Sequence, residues 1–133
     1  MIYRVINIAG WECELYVSLD GYWVEDIIDS MLGCGASESV IRRISMNMRR
    51  DEMDTGFTYS NPALRRSVMV IGRTSEGKQF LNSFVHELRH LVDDIAESSG
   101  MQITGEGVAY LTGDIAMSLA DIVCALSCDH CRK

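Results

Sequence analysis

The spacing of apolar residues changes several times along this chain, and each change marks an element. Ile2 to Ile8 and Glu12 to Ser18 are β-rich runs joined at Gly10, which predicts a hairpin. Asp20 then caps a predicted helix reaching about Leu32, and Gly33-Cys34-Gly35 ends it. Ser37, followed by Val40, Ile41, Ile44 and Met48, opens a second amphipathic helix. Phe57 to Ser60, an Asn61-Pro62 turn and Ser67 to Gly72 predict a second hairpin. Within it Val68-Met69-Val70-Ile71 is uniformly apolar, a pattern that suits a strand buried on both faces as well as one lining a cleft.

The longest periodic stretch predicts a helix from roughly Glu76 to Ser98, with Ser75 and Lys78 or Gln79 at its start and Gly100 as its stop. Phe80, Leu81, Phe84, Val85, Leu88, Leu91, Val92, Ile95 and Ala96 share one broad face. Asn82, His86, Glu87, His90, Asp93, Asp94 and Glu97 occupy the other. After a connection over Met101 to Gly105, a further helix begins near Glu106 and is expected to return antiparallel. Its residues Glu106, Ala109, Tyr110, Gly113 and Met117 share a face, and the small pair Ala109 and Gly113 would let that face lie close to the preceding helix. The order of elements is that of an α+β protein, with a small mixed sheet packed on one side of the long helix. No repeat, linker or low-complexity segment divides the chain, which reads as a single domain over 1–133.

Composition narrows the function. A net charge of −7 argues against a nucleic-acid binder, and the pairs Arg42-Arg43, Arg49-Arg50 and Arg65-Arg66 lie apart, as solvated faces and ion-pair partners do. With no leader pattern and no long apolar run, the chain is expected to be cytoplasmic and free of the membrane. Five cysteines cannot form a complete disulfide framework, so reduced thiols are expected. Cys124, Cys128, His130 and Cys131 cluster at the end of a helix and are read as a frayed tail with incidental thiols rather than a second metal site.

The chemistry concentrates in His86-Glu87-Leu88-Arg89-His90, an HExxH string holding two of the three histidines. Helical positions four apart differ by about 40° around the axis and about 6 Å along it, so both imidazoles can address one ion. Glu87, about 100° round from His86, can reach a water on that ion without ligating it. The string also arises by chance on charged helices. Here it lies opposite a nine-residue apolar face and precedes a second amphipathic segment that opens with a glutamate. Asp93 and Glu97 lie about 10 Å and 16 Å along the axis from His86, too far to complete a tetrahedron from the same helix, which leaves Glu106 as the better third ligand.

HExxH followed by a glutamate on the next helix resembles the gluzincin branch of the zincin metallopeptidases, in a minimal single-domain form, over roughly Val68 to Met117. The metzincin pattern is absent, since Asp93 and Ala96 stand where that pattern needs Gly and His. The resemblance implies a zincin-like fold and a Zn2+ ion held by His86, His90 and Glu106, with Glu87 as general base in the hydrolysis of a peptide or protein substrate. It also implies a strand before the helix, here Val68, Met69 and Val70, that lines the cleft and pairs with extended substrate. Arg89 departs from the usual uncharged residue at its place and is expected to bear on substrate binding. Tyr110, one turn beyond Glu106, is the first candidate for stabilising the tetrahedral intermediate and Arg89 the second, while Asn82, Asp93 and Asp94 are candidates to orient the imidazoles. Two other readings fit the same residues: an inactive zincin-like module that binds zinc and a partner, and a dedicated protease of a mobile element cutting one protein such as a repressor.

Overall fold

The computed structural model describes residues 1–18 and 21–131, so the helix cap expected at Asp20 lies outside the described residues. Strand β1 (Ile2–Ile8) turns at Ala9-Gly10 into β2 (Trp11–Val17). Both turn residues have positive φ, 51° and 78°, the backbone a two-residue hairpin with right-handed strand twist demands. Helices α1 (Val24–Gly33) and α2 (Glu38–Arg49) follow, and the Ser37 hydroxyl accepts from the Val40 N–H as the expected cap of α2. The second hairpin is β3 (Gly56–Asn61) and β4 (Arg66–Ile71), with Asn61 Oδ1 accepting from the Ala63 N–H in the turn. Then come α3 (Gly77–Ser99), α4 (Glu106–Ser118) and α5 (Ala120–Ser127).

The two hairpins join into one mixed sheet of order β1-β2-β4-β3, antiparallel within each hairpin and parallel where β2 meets β4. Its two faces are both covered. Leu15, Val17, Met69 and Ile71 pack with α3, α4 and α5 in one core, while Tyr16, Val68 and Val70 pack with Ile27, Met31, Ile44 and Met48 of α1 and α2 in another. The molecule is therefore α+β in three layers, rather than a sheet with helices on one side only. Two-sided burial also explains the uniform apolarity of Val68 to Ile71, all within 1% of full burial. No single helix among the described residues is long and apolar enough to cross a membrane.

Helix α3 ends at Gly100, whose φ of 72° is the left-handed conformation that stops a helix with little strain in glycine. At its other end Ser75 donates to Gln79 Oε1, and the Gly77 N–H donates to Asp129 Oδ1 from beyond α5. A Cβ on Gly77 would stand 2.1 Å from the Ser127 carbonyl oxygen, so the C-terminal segment packs directly on the start of the motif-bearing helix.

The candidate metal and active site

The buried face of α3 is not quite the one the apolar pattern marks. Ser83 and Glu87 are buried, whereas Leu81 and Val85 are 43% and 53% exposed, which turns the inward face by about 40° on a wheel of 100° per residue. Strand β3 and the residue before it account for the difference, because they offer hydroxyl groups that satisfy an inward carboxylate. Thr55 Oγ1 donates to Glu87 Oε2 at 2.7 Å, and Thr58 Oγ1 donates to Glu87 Oε1 at 2.9 Å. Glu87 is only 2% exposed, and a buried carboxylate persists where donors occupy its oxygens.

A second carboxylate is held two turns further on. Asp94 Oδ2 accepts from Ser60 Oγ at 2.6 Å, Ser60 and Ser67 hydroxyls lie 2.6 Å apart, and Trp11 Nε1 donates to Ser67 at 2.8 Å. Each hydroxyl has one proton, so the chain has a single direction: the Trp11 N–H gives to Ser67, Ser67 to Ser60, and Ser60 to the carboxylate. Burial pushes the Asp94 carboxyl above its ordinary range, opposed by the Ser60 hydrogen bond and by the adjacent His90.

On the solvent side of Glu87, the His86 and His90 Nε2 atoms are 3.2 Å apart with their rings 72° from coplanar. Two nitrogens each 2.0–2.1 Å from a tetrahedral zinc stand about 3.3–3.4 Å from one another, so the pair fits a shared ion without rearranging. Glu87 Oε2 is 3.9 Å from His86 Nε2, which puts a carboxylate beside that position rather than in it.

The three side chains open into a cavity of about 310 Å³ lined also by Thr55, Gly56, Phe57, Thr58 and Asp94. A neighbouring cavity of about 380 Å³, lined by Thr58, Tyr59, Ser60, Pro62, Asp94, Glu97 and Ser98, shares two of these residues and continues the first. Together they form a groove between α3 and β3, the last strand of the sheet.

Other expected site residues lie elsewhere. Val68, Met69 and Val70 are on β4, whose backbone is paired with β2 on one side and β3 on the other. No free edge remains there for a substrate, and β3 takes that place. Arg89 lines neither cavity; its Nε binds both Asp93 oxygens, at 2.8 and 3.0 Å. That pairing occupies Asp93 too, and Asn82 is exposed, so of the three proposed imidazole partners Asp94 alone lines the cavity.

Glu106 opens α4 as expected, but α4 buries Val108, Leu111 and Ile115, the face opposite to Glu106, Tyr110, Gly113 and Met117. Tyr110 is 71% exposed, and neither it nor Glu106 lines the histidine cavity. Among the described residues no three His, Cys, Asp or Glu side chains gather as a metal-holding group, either here or around Cys124, Cys128, His130 and Cys131. Thr55, Thr58 and Ser60 escaped the sequence reading. Their signal was hydroxyl residues two apart on a strand, Thr58 and Ser60, at positions facing a helix.

No protein-family model, curated protein or solved structure matches this chain.

Proposed function

We propose that the protein is a zincin-like, zinc-dependent peptidase. The observation that carries this reading is the His86–His90 pair at the spacing of a shared zinc ion, with the buried carboxylate of Glu87 beside it. Zinc, when bound, would lower the pKa of a coordinated water toward about 7 and polarise the substrate carbonyl. Glu87 takes the proton from the attacking water at a carboxylate oxygen and passes it to the leaving amine. Thr58 on β3 and Thr55 just before it hold that carboxylate in place. An extended peptide lies along the outer edge of β3, adding a strand to the sheet beside the histidines.

Glu106 is proposed as the third ligand from the motif resemblance and from the inability of one straight helix to complete a tetrahedron. Tyr110, proposed to donate to the oxygen of the tetrahedral intermediate, shares the outward face of α4 with it. The two assignments stand or fall together, since both need that face presented to the histidines.

The test is metal analysis of purified protein with a peptide-library cleavage assay. Wild type should bind one zinc per chain, His86→Ala and His90→Ala should bind none, and Glu87→Gln should keep zinc while losing turnover by several orders of magnitude. Zinc retained by either histidine variant, or undiminished turnover in Glu87→Gln, would overturn the proposal.

A further inference from the structure

On the opposite face of the sheet from α3, Tyr3, Tyr16, Trp23 and Asp26 line a cavity of about 260 Å³. It shares no residue with the histidine groove, so what it binds is independent of the peptidase reading. The Tyr3 and Tyr16 rings are tilted 53° to each other with centroids 4.8 Å apart. Trp23 and Tyr3 remain 47% and 42% exposed, so aromatic surface is left toward solvent beside this cavity.

The polar groups of this cavity decide what it can hold. The Tyr3 hydroxyl donates to Glu14 Oε1 at 2.7 Å, and the Tyr16 hydroxyl is shared between the Asp26 carbonyl at 3.1 Å and Ser30 Oγ at 2.6 Å. Both hydroxyls are thus engaged by the protein; Tyr3 offers a ring face, and Tyr16, 3% exposed, backs it from the core. Among the described residues the Asp26 carboxylate has no hydrogen bond or ion pair, and it is the only charge in the lining that they form. A sugar would need several directed donors and acceptors, of which the described lining offers only the Trp23 indole N–H and the Asp26 carboxylate, and a primary ammonium would need three acceptors where one carboxylate stands. A quaternary ammonium needs neither. It carries a diffuse positive charge on an apolar surface, which aromatic faces and one anion satisfy together. The small volume, below that of typical drug-sized sites, suits a headgroup rather than a large ligand.

We propose that Tyr3, Tyr16, Trp23 and Asp26 form a binding site for a quaternary ammonium group of the choline type. Half-exposed rings give weak cation–π attraction, so affinity in roughly the millimolar range is expected.

The test is a titration of the whole protein, followed by 1H–15N spectra, with choline, with Nε-trimethyllysine and with 3,3-dimethylbutan-1-ol, the uncharged isostere of choline, at constant ionic strength. Choline should shift the Trp23 indole and Asp26 amide signals saturably and bind at least about fivefold more tightly than the isostere; Nε-trimethyllysine distinguishes a peptide side chain from a free headgroup as the source of the same cation. Trp23→Ala and Asp26→Asn should each weaken choline binding about tenfold, whereas Trp23→Phe and Tyr3→Phe, which keep the rings, should bind nearly as wild type. Equal affinity for the isostere, or unchanged choline binding in a folded Trp23→Ala protein, would overturn the proposal.

Discussion

Glu87 is the residue whose environment says most about the site, because a carboxylate 2% exposed on the helix that carries both histidines is expensive to keep without donors. Thr58→Val removes one of its two hydroxyl donors at nearly constant volume. It should destabilise the fold by about 1–3 kcal/mol in urea unfolding and reduce the proposed peptidase turnover, and Thr58→Ser should restore both. Equal behaviour of the Val and Ser variants would show that the hydroxyl is immaterial. The thiols are separated by environment in the same way. Burial pushes the Cys13 thiol up to about 12, whereas backbone N–H groups of Cys131 and His130 draw the Cys128 thiol below its ordinary value. Cys13 and Cys34 are buried and Cys124, Cys128 and Cys131 exposed. At pH 8 iodoacetamide should therefore label Cys128 first, then Cys124 and Cys131, with Cys13 and Cys34 labelled only after denaturation; mass spectrometry of digests checks the order. The motif residues were legible from spacing alone. Their donors were not, since Thr55 and Thr58 lie about thirty positions away and meet Glu87 only through the strand.

At the level of elements, the orientation of α4 is the most consequential departure from the apolar pattern. Close approach through Ala109 and Gly113 was expected, but Val108, Leu111 and Ile115, spaced three and four apart, form the larger apolar stripe and turn inward. Leu111→Ala should cost about 2–5 kcal/mol and Met117→Ala less than about 0.5 kcal/mol by chemical denaturation. The same orientation makes the ligand question sharp. Glu106→Ala should weaken zinc at least about tenfold and Glu97→Ala little, measured by competition with a chromophoric chelator. If Glu106→Ala leaves affinity unchanged, the gluzincin assignment fails along with the role given to Tyr110. Gly56 begins β3 with a φ of 129°, and a Cβ there would stand 1.9 Å from the Val70 carbonyl oxygen. Gly56→Ala should accordingly loosen the strand end that carries Thr55, seen as faster amide exchange over 55–58.

For the whole molecule, a ligand bound only by the native state raises stability by RT ln(1 + [L]/Kd), about 2.7 kcal/mol at a hundredfold excess over Kd. Zinc should thus raise the melting temperature by on the order of 10 °C, reversibly with a chelator, and His86→Ala should abolish the rise. Features that depend on neighbours along the chain were legible in the residues alone: both hairpins, the Ser37 cap, the Gly100 stop, the long amphipathic helix and the spacing of His86, Glu87 and His90. Period and turn chemistry act within a few residues, so they can be read without the fold. Packing in three dimensions settled that β2 and β4 pair in parallel, that α1 and α2 cover the second face of the sheet, and that β3 is the strand left at the edge beside the histidines. It also decided that α3 turns Glu87 inward and that α4 turns Glu106 outward. Each of these choices is a competition between surfaces far apart in sequence, settled by which pairing buries the larger apolar area and leaves every buried polar group with a partner.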